Sequence, residues 1–356
     1  MTKVLVVDDS ALMRRVLGEI LREAGFEVAT AKDGVDAMAQ VQAFTPDVVT
    51  LDVQMPRMDG LECLNRIMLE RPCPVVMVSS LTTQGAETTL TALELGAVDF
   101  VPKPDGAVSL ALDEFAPVMV DTVREAAKAR VRRSLRLLER VRARRPSDLV
   151  IEDRPKPRRQ SAGGEPPGLV IIGASTGGPP ALDTVLSGLP DDFPWPVLVA
   201  QHMPATFTRS LATRLDGLCA LPVIEVTGPT VIEAGQVYVA RGDADMIISQ
   251  RPDGLIALPA PSSPKHRWHP SVDRLMASAM QHLPAERLVG VLMTGMGNDG
   301  ATTMAALQAA GGRTIAESEE TAVVWGMPGE LVRAGGAGFV EGVEAIGARL
   351  VQLVGR

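Results

Sequence analysis

The chain has 356 residues, 46% of them hydrophobic and 22% charged, with a net charge of −8, enough apolar material for two globular domains. No apolar run reaches the roughly 18 residues of a membrane span, the first residues lack a signal-peptide layout, and Cys63, Cys73 and Cys219 show no metal spacing. Membrane, secreted and disulfide-stapled classes are therefore excluded, and a cytoplasmic protein with reduced thiols is expected.

The charge is unevenly distributed. Residues 1–124 carry ten basic and nineteen acidic side chains, residues 125–167 thirteen and six, and residues 168–356 twelve and eighteen. Two acidic blocks around a basic connector predict two domains and a linker.

The first block alternates β-rich runs at 3–7, 26–31, 47–51, 74–79 and 98–101 with amphipathic stretches. In the stretch 11–24, for example, Leu12, Val16, Leu17 and Ile20 share one helical face and Gly25 ends the helix. Five strands with intervening helices predict a doubly wound parallel sheet. A single long, Arg-rich helical pattern covers 117–145. It ends at Pro146, and a Pro- and Gly-rich stretch to 167 reads as a flexible linker.

Buried-strand runs resume at 169–172, followed by 196–200, 222–226, 236–240, 246–249, 288–293, 313–315 and 338–340. Helical patterns occupy 178–188, 206–215, 271–282 and 299–310. This second block is again α/β. The expected boundaries are 1–124, 125–167 and 168–356.

Ligands of open α/β sheets bind beyond the carboxyl ends of the strands. In the first block those ends carry Asp8 and Asp9, then Asp52, then Ser79, with Lys103 after the fifth strand. Three carboxylates in one crevice repel unless a hard cation lies among them, and Mg²⁺ suits such a donor set. A lysine and a hydroxyl at the same rim suit the remaining oxygens of a phosphoryl group. Residues 1 to about 122 resemble the receiver domain of bacterial response regulators. The resemblance implies that Asp8 and Asp9 hold the metal with Asp52, that Asp52 is the phosphoacceptor, and that Ser79, Phe100 and Lys103 are switch residues. It also implies a histidine kinase as phosphodonor.

In the second block, Gly173-Ala174-Ser175-Thr176-Gly177-Gly178 stands between a strand and a helix. It fails the G-x-G-x-x-G dinucleotide pattern but contains G-x-S-x-G, the layout of a nucleophile elbow. The Thr176 N–H then lies near a helix N-terminus, where it can stabilise an oxyanion. Of four histidines, His202 ends a strand and is the chosen general base. His266 and His269 lie among prolines in what reads as a surface loop, unsuited to the helical H-x-x-H metal layout, and His282 reads as surface. For the orienting carboxylate, Asp299 follows a strand in Thr294-Gly295-Met296-Gly297-Asn298-Asp299-Gly300. Asp273 is its rival, and plain helix capping is the alternative role for Asp299. The order Ser…His…Asp differs from that of α/β-hydrolases, so a different, Rossmann-like α/β fold is expected.

Residues 168–350 resemble the chemotaxis protein-glutamate methylesterases through Gly173 to Gly178, Gln201-His202-Met203-Pro204, Pro270-Ser271-Val272-Asp273, Thr294 to Gly300 and Gly326-Met327-Pro328. The resemblance implies a triad of Ser175, His202 and Asp299, with oxyanion donors in the backbone of Thr176 and Met296. It implies hydrolysis of glutamate methyl esters on chemoreceptors, with deamidation of glutamine as a related activity and no cofactor for the hydrolysis. Residues 266–270 depart from that family by reading His-Arg-Trp-His-Pro, where an Arg is expected before the proline. A phosphoacceptor and an esterase on one chain predict that phosphorylation of Asp52 relieves a restraint on the esterase. The competing reading is a DNA-binding transcription factor using the basic segment 124–159. That segment offers no paired-helix recognition unit, so no nucleic-acid partner is expected.

Overall fold

The computed structural model describes residues 1–103, 108–129, 166–252 and 254–355. The chain divides into two compact units, Met1–Ile151 and Glu152–Arg356. Most of the expected linker, 130–165, lies outside the described residues.

In the first unit, β1 (Lys3–Val7), β2 (Glu27–Ala31), β3 (Val48–Asp52), β4 (Val75–Ser79) and β5 (Asp99–Pro102) form a sheet of order β2-β1-β3-β4-β5, parallel throughout. β3 and β4 are buried at every residue, as strands covered on both faces must be. Helices α1 (Ala11–Glu23) and α5 (Val108–Ala126) pack together, while α2 (Gly34–Phe44), α3 (Gly60–Glu70) and α4 (Thr83–Glu94) form a separate row. The strand order reverses between β1 and β3, which opens a crevice at their carboxyl ends.

The expected helix at 117–145 begins earlier, at Val108, and carries Pro117 inside it. Pro117 is exposed, so the carbonyl that loses its partner one turn back can be met by water. The part of that pattern beyond residue 129 lies outside the described residues.

The second unit has a seven-stranded sheet with strand order β15-β14-β13-β6-β7-β10-β8. Its strands are β6 (Leu169–Ala174), β7 (Val197–Gln201), β8 (Val223–Val226), β10 (Val237–Ala240), β13 (Leu288–Leu292), β14 (Arg313–Glu317) and β15 (Phe339–Glu341), all parallel. Helices α6 (Gly178–Ser187), α7 (Ala205–Leu218) and α11 (Val343–Val354) form one packed group, and α8 (Val272–His282), α9 (Ala301–Ala309) and α10 (Met327–Arg333) the other. Here the order reverses between β6 and β13.

The second unit also contains an antiparallel sheet that the sequence did not suggest. It consists of β9 (Thr230–Val231), β11 (Ala244–Arg251) and β12 (Gly254–Pro261), with β11 against α8. Pro259 and Pro261 hide β12 from a pattern search. They are tolerated because β9 pairs only with Ile256 and Ala257, leaving that edge open around the prolines. No described helix is long and apolar enough to cross a membrane. The three cysteines are buried, and no disulfide joins them.

Candidate active site

The first crevice gathers the residues expected there. Ligand oxygens of Asp8, Asp9 and Asp52 lie within 4.8 Å of one another, with Asp8 and Asp52 buried and Asp9 exposed. Lys103 Nζ is 3.0 Å from Asp8 Oδ2 and 2.9 Å from Asp52 Oδ2. Burial raises the Asp52 carboxyl above the usual range and the Asp8 charge adds to the rise, outweighing the opposing pull of Lys103. Lys103 in turn holds its proton more tightly than usual, because the two carboxylates outweigh its own burial. One ammonium thus contacts two of three clustered carboxylates, a donor set that fits a divalent cation. Ser79 ends β4 and is buried, its hydroxyl donating to the Gly85 carbonyl at 3.3 Å, and Phe100 is buried on β5.

The second crevice is built by three adjacent strands. The register pairs Ala174 with Gln201, so Ser175 and His202 leave β6 and β7 side by side, with the His202 N–H donating to the Ala174 carbonyl at 3.0 Å. On the other side of β6, Ser175 N–H donates to Thr294 O at 3.0 Å, and a Cβ on Gly295 would lie 2.7 Å from that of Ser175. The turn between Ser175 and α6 needs its glycines. Gly177 has φ +76°, and a Cβ on Gly178 would come within 1.9 Å of Gln201 Oε1. The buried Gln201 amide donates to the Ser175 carbonyl at 2.9 Å and the His202 carbonyl at 3.2 Å, clamping the two loops together.

His202 Nε2 lies 2.9 Å from Asp299 Oδ2. An ionised carboxylate only accepts, so Nε2 carries the proton and Nδ1 keeps its lone pair. His202 Nδ1 is buried and has no hydrogen-bond partner among the described residues. Asp299 is buried, yet its carboxyl is held below the usual range. Burial alone would raise it, but the His202 contact and the N–H groups of Asp273 and Val272 outweigh that. Those N–H groups, at 3.0 and 2.7 Å, begin α8, so the positive end of that helix favours the anion.

Asp299 does not cap the helix that follows it. That helix starts at Ala301, behind Gly300 at φ +87°. Asp273, the rival carboxylate, accepts instead from Thr303 N at 3.1 Å and Thr303 Oγ1 at 2.7 Å. Thr176 directly follows Ser175 in the chain, and Met296 directly follows Gly295, the residue packed against Ser175. Thr294 Oγ1 donates to the Thr176 carbonyl at 2.9 Å. Gly295, next to Met296, is fixed by backbone hydrogen bonds to Val324 and Met327.

The segment 264–270 is more than a surface loop. Buried Asp245 accepts from His269 Nδ1 at 2.8 Å, Ser271 N at 2.8 Å and Arg274 Nη1 at 2.7 Å, so His269 is half-buried and anchored. Trp268 stacks parallel to His202 with ring centroids 6.0 Å apart, and Arg267 lies over the outer ring system. Sequence reading missed Gln201 as a clamp, Trp268 as a cover and Glu317 as a buried prop. Glu317 Oε2 accepts from Thr294 N at 2.8 Å and Oε1 from Thr321 Oγ1 at 3.0 Å. Only proximity in space reveals these roles.

The CheB methylesterase family matches residues 170–350, and the response regulator receiver domain family matches residues 4–111. A protein-glutamate methylesterase/protein-glutamine glutaminase of Rhodopseudomonas palustris is 57% identical over 99% of this chain and 98% of its own length. A protein of the same name from Rhodospirillum rubrum is 52% identical, covering 98% of this chain and 95% of its own. The crystal structure of the Thermotoga maritima CheB methylesterase catalytic domain, 36% identical, covers 52% of this chain and 98% of that one, with a TM-score of 0.51.

Proposed function

The chain belongs to the CheB methylesterase family and carries a response regulator receiver domain, and from that premise we propose how its residues divide the work. The protein is a protein-glutamate methylesterase and protein-glutamine glutaminase, with a receiver over 1–124, a connector over 125–167 and the hydrolase over 168–356. Ser175 Oγ attacks the side-chain carbonyl of a glutamate methyl ester while His202 Nδ1 takes its proton. The backbone N–H groups of Thr176 and Met296 receive the developing oxyanion. His202 returns the proton to the leaving methoxide, releasing methanol. It then activates water against the acyl-enzyme to free the glutamate. With a glutamine substrate the leaving group is ammonia and every other step is the same. Asp299 keeps the proton on Nε2 and stabilises the imidazolium.

The observation that carries this reading is the buried Nδ1 of His202, unpartnered among the described residues and opposite the nitrogen bound to Asp299. A buried acceptor left unpaired is costly, and in the proposed reaction the proton taken from Ser175 becomes its partner. Because Asp273 is engaged by α9, Asp299 takes the orienting role.

In the receiver, Asp8, Asp9 and Asp52 would hold Mg²⁺, which supplies charge neutralisation for a phosphoryl group. Asp52 accepts that group from a phosphohistidine on a kinase, and Lys103 and Ser79 face its oxygens. Phosphorylation of Asp52 raises the rate of ester hydrolysis. The substrates are methylated chemoreceptors, and the enzyme acts in the cytoplasm. The transcription-factor alternative is not supported, because the two family matches account for both units by other roles. Methanol release from methylated receptor, with and without a small-molecule phosphodonor, tests the assignment. Turnover abolished by Ser175→Ala and stimulated only when Asp52 is present is the expected outcome. Turnover indifferent to Ser175 would refute it.

A further inference from the structure

Ser271 sits behind the proposed triad, fully buried, with three polar neighbours around its hydroxyl. They are Asp299 Oδ1 at 3.0 Å, His266 Nδ1 at 3.2 Å and the Arg274 N–H at 3.3 Å. A hydroxyl has one proton and two lone pairs. The carboxylate can only accept, so the proton goes to Asp299. The Arg274 N–H fills one lone pair. The other faces His266, so His266 must present Nδ1 as a donor.

Given the place of Asp299 in the proposed function, we infer that His266 is a positioning residue that acts on Asp299 through Ser271. By donating from Nδ1, it saturates the Ser271 oxygen, strengthens the hydrogen bond that the hydroxyl donates to Asp299 and leaves that proton no other acceptor. With the opposite tautomer, or with an acceptor at that place, the Ser271 proton would have a competing partner. Asp299 Oδ1 would then depend on the Asp273 N–H alone. The resulting chain runs from His266 through Ser271 and Asp299 to His202, fixing the carboxylate that sets the His202 tautomer.

A plain tether between loop and helix is the simpler role, but that task is already filled. Asp245 binds Ser263 N, His269 Nδ1, Ser271 N and Arg274 Nη1, pinning both ends of the segment without His266. What His266 adds is the direction of one proton.

The test uses the full chain and two readouts: methanol release from a methylated protein substrate, and the rate of Ser175 labelling by a fluorophosphonate. His266→Leu is expected to lower kcat and the labelling rate together by about fivefold, the equivalent of one hydrogen bond, with KM unchanged. His266→Asn, whose amide nitrogen can occupy the Nδ1 position, is expected to rescue both to within about twofold of wild type. In a Ser271→Ala background the His266→Leu change is expected to have no further effect. Wild-type kcat and labelling in His266→Leu would overturn the inference, as would a loss that Asn does not rescue. If Ser271→Ala fails to fold, the Leu and Asn comparison decides alone. A wild-type protein that labels at Ser175 yet releases no methanol would sink the functional reading instead, leaving the His266 comparison readable through labelling.

Discussion

Asp273 and Asp299 each bind the start of the helix nearest the other. Asp299 accepts from the first N–H groups of α8, where Asp273 resides, and Asp273 accepts from Thr303 in the first turn of α9, four residues beyond Asp299. The exchange locks the two helix starts together beneath His202. It also separates two carboxylates that both stand at a helix start, since of the two only Asp299 reaches the imidazole.

Asp299→Asn and Asp273→Asn should therefore differ in kind. The first removes the acceptor that holds the Nε2 proton, and kcat should fall by about 10³-fold or more, as in other triads of this chemistry. The second weakens a helix start and should cost about 1 kcal/mol of stability while kcat stays within several-fold of wild type. Steady-state kinetics and thermal unfolding of both variants check this.

Gln201 and Gly178 are predicted to act as one unit. Gln201→Leu breaks the clamp between the Ser175 and His202 carbonyls, and Gly178→Ala drives a methyl group into the Gln201 amide. Each should lower kcat by about tenfold or more, and Gly178→Ala should cost about 1–3 kcal/mol as overpacking. The double variant should be far less impaired than the product of the two, because the second change has little left to disrupt.

Divalent cation should stabilise the receiver more at neutral than at acid pH. The folded-state pKa of Asp52 is raised, so this group favours the folded state at low pH and that benefit is lost as pH rises through the raised value. A cation among Asp8, Asp9 and Asp52 relieves the loss only where the carboxylates are ionised. All three tryptophans and the single tyrosine, Trp195, Trp268, Trp325 and Tyr238, lie in the second unit. Calorimetry should therefore show a transition shifted upward by Mg²⁺ at about pH 7.5 and much less at about pH 4. The transition followed by tryptophan fluorescence should stay put.

Glu317 supplies a second pH-dependent term. Burial raises its carboxyl above the usual range despite the Thr294 N–H and the Thr321 hydroxyl. Stability associated with a raised carboxyl is present at low pH and lost as pH climbs through the folded value. Glu317→Gln keeps the shape and removes the charge. The variant should gain unfolding temperature relative to wild type at about pH 8, and the gain should vanish near pH 4.5.

Much of this protein was determined by its sequence alone. Continuous apolar runs marked the parallel strands, because a strand covered on both faces has no polar side to show. Residues at the carboxyl ends of those runs included Asp8, Asp52, Ser79, Ser175, His202 and Asp299, because an α/β sheet gathers its chemistry there. Glycine punctuation exposed the turn after Ser175. Tertiary structure decided the rest. Asp299 and Asp273 both stand at the start of an expected helix, and which one meets His202 depends on strand order and on helix starts packed against each other. Gln201, Trp268 and Glu317 reach partners on other elements, so no local pattern reveals them. β12 escaped notice because its prolines are permitted only by the shortness of β9. The proton on His202 Nε2, and the one His266 must donate, follow from acceptors that the fold alone brings within hydrogen-bonding distance. Local sequence encodes periodicity and turn chemistry, whereas proton placement depends on contacts between residues far apart in the chain.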